Sequence, residues 1–389
     1  MARLQAASPF IRSLLLAAAI VGAPATVLAC LWDHDTLAME RRRFPTVLEL
    51  ITGKFLRHST EFYEWRIQDR RLKLESGDAR PEWYDDLAVA YDKVGRHEDA
   101  ISTILEKDRH WPDRYETYAN LGTFQIHSGR FERGLEFIRR TIEINPEAHF
   151  GREIYQQLLV EYVISRQEDE NIPAPLSSEN RGMGYRNFAK FVIDQTSPDD
   201  PDVELTQATR GILGMMRFGQ HDSPVLLEAL GDLLLSTGWL KDAKRLAARC
   251  YLKAAYESDG EDTQAEYRRH AAACLTTHQH VELEDVERLF QEELADAEQW
   301  YAGIRRDELR WIAAGDDPER EFAAKYYEEP SVVGSTRIEM SRSAGLIIWL
   351  VGLGLALTSL CVTLLVCAIY LWRRWTGSRI AQSDPREPV

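Results

Sequence analysis

The sequence predicts an all-α chain: an array of antiparallel helix pairs with an irregular insertion, plus one C-terminal transmembrane helix. Three observations carry that expectation. "YDDLAVAYDKVGRHEDAI", from Tyr84 to Ile101, returns 34 residues later as "YANLGTFQIHSGRFERGL", from Tyr118 to Leu135. Apolar residues elsewhere recur at helical spacing, as at Ile154, Leu158, Leu159 and Tyr162. Near the end, "GLIIWLVGLGLALTSLCVTLLVCAIYLW", Gly345 to Trp372, carries no charge and is long enough to cross a bilayer.

The doubled stretch pairs Tyr84 with Tyr118, Leu87 with Leu121, Ala88 with Gly122, Gly95 with Gly129 and Ala100 with Gly134. Counting units from Pro81 and Tyr115 places Pro112 and Pro146 at the same position, 32. Each choice has a physical reason. Small residues at 88, 122, 100 and 134 let two helices approach closely. Gly95 and Gly129 suit a turn with positive φ. Pro112 and Pro146 cannot continue a helix and so end one. This pattern resembles the tetratricopeptide repeat, and the resemblance implies an α-solenoid of paired helices with a concave, partner-binding face.

A third unit set at Pro224 brings Leu227, Leu230, Gly231, Leu234, Gly238 and Ala243 onto the same landmarks. Cys250 then falls where a small residue is preferred, and Ala255 stands where Pro would end the second helix. Gly129 to Gly238 spans 109 residues, not a multiple of 34, so the array is interrupted. Clusters of Pro, Gly, Ser and Asn between Glu168 and Asp202 mark the interruption. Ahead of the array, Ser59 is an expected N-cap for a helix carrying Phe62, Tyr63 and Ile67. Behind it, Val286, Phe290, Leu294, Ala297, Tyr301 and Ile304 space one long amphipathic helix that should pack on the last repeat.

The ends set the expected location. Arg3 and Arg12 precede "LLLAAAIVGAPATVLA", an export signal cut before Cys30. "VLAC" resembles a bacterial lipobox, with Leu28 where smaller residues are usual, and that resemblance implies lipidation of Cys30. Arg373, Arg374 and Arg379 follow the apolar span, and basic residues stay cytoplasmic. The expected organisation is a signal over 1–29, an N-terminal helical segment over 30–80, the array over 81–167 and an irregular insertion over 168–205. A repeat-like unit and C-terminal helices follow over 206–330, then a tether over 331–343, the span over 344–372 and a cytoplasmic tail over 373–389. Residues 30–343 are then extracytoplasmic, or periplasmic. The segment from Cys30 to Arg70 also resembles the start of bacterial membrane-anchored envelope proteins that carry these repeats.

The body from 30 to 343 holds 60 acidic against 41 basic residues, a net −19. Such a surface repels nucleic acid, and no nucleic-acid partner is expected. Of five cysteines, Cys361 and Cys367 lie in the apolar span, and Cys250 and Cys274 read as packed free thiols.

Searching for chemistry returns little. "HEDAI" at His97 starts like a zinc-protease helix but has Ile101 where the second His belongs. "ITGKF" has Leu48 where a phosphate loop needs Gly. Cys274, His278 and His280 lack a fourth ligand at zinc spacing. No nucleophile signature is present, so no enzymatic activity, cofactor or metal is expected. If the chain is a metal-dependent enzyme instead, "WDHDT", with Asp33, His34 and Asp35, is the segment to suspect.

What the repeat resemblance implies is a groove lined by first-helix positions. Here these are Glu82, Asp85, Val89, Asp92 and Lys93, then Glu116, Ala119, Thr123, Ile126 and His127. The subfamily that grips a C-terminal carboxylate uses Lys and Asn there; only Asn120 matches, and Asp85 replaces the cation. The expected function is an extracytoplasmic adaptor or scaffold holding a protein or peptide partner, such as a basic or amphipathic helix. The alternatives are a groove filled by the chain's own N-terminal helix and a structural subunit with no groove ligand. Alkaline phosphatase fused after Ser341 should be active and fused after Ala381 inactive; the reverse pattern contradicts the predicted orientation.

Overall fold

In a computed structural model, the described residues run from 44 to 327, apart from 78, 169–186, 237–242 and 276–280. The chain divides into two compact units, 1–326 and 327–389. The predicted signal, Cys30, the Asp33–His34–Asp35 segment, the tether, the apolar span and the tail lie outside the described residues. No helix among the described residues is long and apolar enough to cross a membrane. Those residues form helices and no strands, as the 3.6-residue periodicity requires.

Two short elements come first, α1 (Val47–Thr52) and α2 (Thr60–Glu75). Thr46 and Glu49 form a reciprocal cap at the start of α1, which ends at Gly53 with φ of +79°. Ser59 caps α2 by accepting the Phe62 N–H at 3.3 Å, the role its sequence position predicted. Residues 53–59 therefore form a connector between two helices.

The doubled stretch folds as two helix pairs, α3 (Pro81–Lys93) with α4 (His97–His110) and α5 (Tyr115–His127) with α6 (Phe131–Ile144). Gly95 and Gly129 occupy the turns with φ of +77° and +81°, where a Cβ would be strained. α4 and α6 each stop two residues before a proline, Pro112 and Pro146. Gly122 and Gly134 let α5 and α6 touch: a Cβ on Gly134 would lie 2.8 Å from the Gly122 carbonyl oxygen and 2.5 Å from Ile126 Cγ1.

A 3₁₀ turn (Ala148–Gly151) leads to α7 (Glu153–Glu168). The insertion expected over 168–205 contains a helix, α8 (Asn187–Thr196), and the start of α9 (Pro201–Phe218). The helix breakers of this stretch sit between and before these helices. Asp200 caps α9 through the Asp202 and Val203 N–H groups. Phe188, Ala189 and Val192 give α8 an apolar face that packs on α10 (Pro224–Ser236).

α10 pairs with α11 (Ala243–Tyr256), where the Gly231 backbone lies against the Tyr251 ring. Cys250 is fully buried in this pair, and Cys250 and Cys274 are both free thiols. α11 runs past Ala255 to Tyr256, since no proline stops it. Then come α12 (Glu261–Leu275), the long α13 (Leu283–Ala314) and α14 (Pro318–Tyr326).

As expected, α13 packs on α11 and α12, and it also packs on α1 and α2. The first and last helices thus meet. Glu308 of α13 accepts from the Ser59 N–H at 2.9 Å and bonds His58 Nδ1 at 2.6 Å. Glu319 of α14 accepts from Arg66 Nε at 2.7 Å and from Arg70 Nη2 at 2.6 and 2.7 Å. Arg66 and Arg70 are fully buried. One apolar core runs from α1 through α5 to α13, and a second fills the space between α2, α3, α4 and α5.

Candidate functional site

The residues expected to line a groove occupy several different environments. Glu82 is exposed, and Glu116 and Lys93 are half-buried. Asp85, Val89, Asp92, Thr123, Ile126 and His127 are buried, as is Ala119. Thr123 accepts from Gln156 of α7 at 3.2 Å, and Ile126 is in the core. Most of these side chains are covered by the chain itself, and Val89, Asp92, Lys93 and His127 line a cavity.

Their charges are answered internally. Lys107 of α4 donates to both Asp85 oxygens at 2.6 and 2.7 Å, and Asn120 adds a contact at 3.3 Å. Burial pushes the Asp85 carboxyl up to about 7, with Lys107 opposing it. The neighbouring Asp86 is bound by Arg70 at 2.8 Å.

Asp92 lies on the last turn of α3. One oxygen sits 2.8 Å from Nδ1 of His97, the first residue of α4, and 2.9 Å from Nδ1 of His127, the last residue of α5; the other sits 2.8 Å from the same His127 nitrogen. Burial alone would favour the neutral acid strongly, but the charge and hydrogen bond of His127, then those of His97, hold the carboxyl at about 2. His127 is 2 % exposed, and its Nε2 is buried with no hydrogen-bond partner.

These three residues border a cavity of about 420 Å³. Its other walls come from the α1–α2 connector (Phe55, Arg57, His58), from Tyr63 of α2 and Tyr301 of α13, and from the end of α9 and the turn after it (Arg217 to Asp222). Lys93 fixes that turn to α3 by donating to the carbonyl oxygens of Phe218, at 2.9 Å, and Gly219. The Arg57 guanidinium lies 3.6 Å from the Tyr301 ring centroid and donates to the Gly53 carbonyl. Burial pushes the His221 pKa down, with Asp222 opposing. Three cations, Arg57, Lys93 and Arg217, and four histidines, 58, 97, 127 and 221, face this space in a chain of net charge −15.

Sequence reasoning singled out Asp92, Lys93 and His127 but did not anticipate the opposite walls. "FLRHS" and "RFGQHDS" lie at or beside turns between helices, with Arg and His adjacent in the first and four residues apart in the second, and that density was the available signal. His97 was weighed only against its own helix; its partners are on α3 and α5. Cys274 is buried and donates to the His270 carbonyl at 3.2 Å, whereas His278 and His280 lie outside the described residues. Compared with models of known protein families and with curated proteins, the sequence matches none.

The raised Asp85 pKa fixes a direction with pH. Between 3.8 and about 7 the folded state holds a proton the unfolded state has lost. Its contribution is therefore complete below 3.8 and declines as pH rises toward 7, by about 1.4 kcal/mol per pH unit. In urea unfolding of the full chain, Asp85→Asn should remove that slope relative to wild type, whereas a wild-type to variant difference constant with pH contradicts it. Asp85→Ala, which strands the buried Lys107 ammonium, should cost about 3–5 kcal/mol.

Proposed function

We propose that the chain is a membrane-anchored, extracytoplasmic adaptor of the tetratricopeptide type, and that it recognises a short polar segment of a partner protein in the cavity between α3, α5 and the α9–α10 turn. The observation that carries this reading is a cavity of about 420 Å³ with polar walls on an otherwise buried inner face. That volume falls within the range of pockets that enclose ligands, about 300–1,000 Å³.

Size decides what can enter. One α-helical turn, about 10 Å across with a 5.4 Å pitch, sweeps about 420 Å³. A whole amphipathic helix laid along the inner face would meet Asp85, Val89 and Ile126, which are already covered. A chain end or a single turn of three or four residues fits instead. Arg57, Lys93 and Arg217 favour a segment bearing a carboxylate, so the preferred partner chemistry is acidic rather than basic.

The anchor adds to this. A single span ahead of Arg373 and Arg374 would hold the helical body close to the membrane, raising its effective concentration for partners there.

The test uses a photo-crosslinking side chain at Gln220, on the cavity wall, and another at Glu132, exposed on α6. In native membranes, Gln220 should give a discrete adduct that Thr60→Trp, which fills the cavity mouth, abolishes; Glu132 should give none. No adduct from Gln220, or one indifferent to Thr60→Trp, contradicts the reading.

A further inference from the structure

We propose that Asp92, His97 and His127 bind one divalent transition-metal ion of the zinc class, with a coordination position open to the cavity. Their ligand atoms, one from each residue, all lie within 4.8 Å of one another. The three residues close the ends of three helices, so convergence here follows from the backbone, not from flexible side chains reaching across a surface.

The donor set identifies the ion. Two imidazole nitrogens and one carboxylate oxygen suit zinc and its neighbours. Magnesium and calcium prefer cages of oxygen. Ligand atoms about 2.1 Å from a zinc ion at tetrahedral angles stand about 3.4 Å apart. The 2.8 Å separations at Asp92 are those of hydrogen bonds, in which protons occupy the place of an ion. To hold an ion, these two separations open by about 0.6 Å and all three ligand atoms, now within 4.8 Å of one another, settle at tetrahedral spacing by side-chain rotation.

Hydrogen bonding satisfies Asp92 and both Nδ1 atoms, yet His127 Nε2 is left buried and unpartnered in a side chain 2 % exposed. An ion held by the two Nδ1 atoms and an Asp92 oxygen takes the place of those hydrogen bonds and leaves Nε2 as the N–H of a neutral ring.

Three protein ligands leave a fourth position, and all three residues line the cavity. An ion there would join the α3–α4 turn to the end of α5 and offer an electrophilic point to whatever enters. This inference does not depend on the identity of the partner proposed above.

Full-length protein, stripped with a chelator, is titrated with Zn²⁺ by calorimetry and with Co²⁺ by visible absorption. Wild type should bind one ion per chain and show the intense bands of a four-coordinate Co²⁺ centre. His97→Ala should weaken Zn²⁺ binding by about tenfold or more, and His127→Gln should do the same. His221→Ala, on another wall of the cavity and outside the cluster, should bind as wild type does. His97 is partly exposed at a helix start, so its loss leaves the core intact and decides the matter even if His127→Gln fails to fold. No stoichiometric binding by folded wild type, or His97→Ala binding as wild type does, overturns the proposal.

Discussion

Three carboxylates on one helix, Asp85, Asp86 and Asp92 of α3, are each at most 5 % exposed, and burying them is tolerable only because each has a cation or ring from a different element. Lys107 comes from α4, Arg70 from α2, and His97 and His127 from α4 and α5. Removing a partner from a buried charge costs several kcal/mol. The arrangement of α2, α4 and α5 around α3 is therefore held by charge satisfaction as well as by the apolar contacts of Leu87, Ala88 and Val89.

The same constraint extends to the end of the chain. Arg70 serves Asp86 and Glu319 together, and Glu319 also accepts from Arg66. A pairing begun on α3 thus reaches α14, more than two hundred residues away. Glu308 does equivalent work for the His58 ring and the Ser59 N–H, which fixes the α1–α2 connector that walls the cavity. Closure of the inner face and the position of the cavity have one physical origin.

Local features were legible in the sequence. The 34-residue spacing located the glycines that adopt positive φ, the helix stops before Pro112 and Pro146 and the small-residue contact between α5 and α6, and the residues just before Phe62 located the Ser59 cap. Each depends on a few consecutive residues. What could not be read was pairing between distant elements, because nothing near Asp85 indicates that Lys107 neutralises it, and nothing near His58 points to Glu308. The groove positions looked open, and mixed acidic and apolar, for that reason. His97 was set aside because Ile101 stands where its helix would need the second liganding histidine, although the residues that meet it arrive from two other helices. The α8 helix was hidden among breakers, its short apolar face meaningful only against α10.

A surface of net negative charge surrounding a cavity with arginine, lysine and histidine walls is a functional contrast as well as a structural one. The outer charge favours solubility and discourages unspecific contact with anions. The inner groups are fixed by backbone carbonyls, ring stacking and carboxylates before any ligand arrives, so binding there would require little reordering. Carboxyl footprinting of native full-length protein, with a water-soluble carbodiimide and an amine, tests the closed inner face most directly. The account predicts fast labelling of Glu82 and protection of Asp85, Asp86 and Asp92; fast labelling of Asp85 and Asp92 alongside Glu82 would mean an open groove and would contradict it.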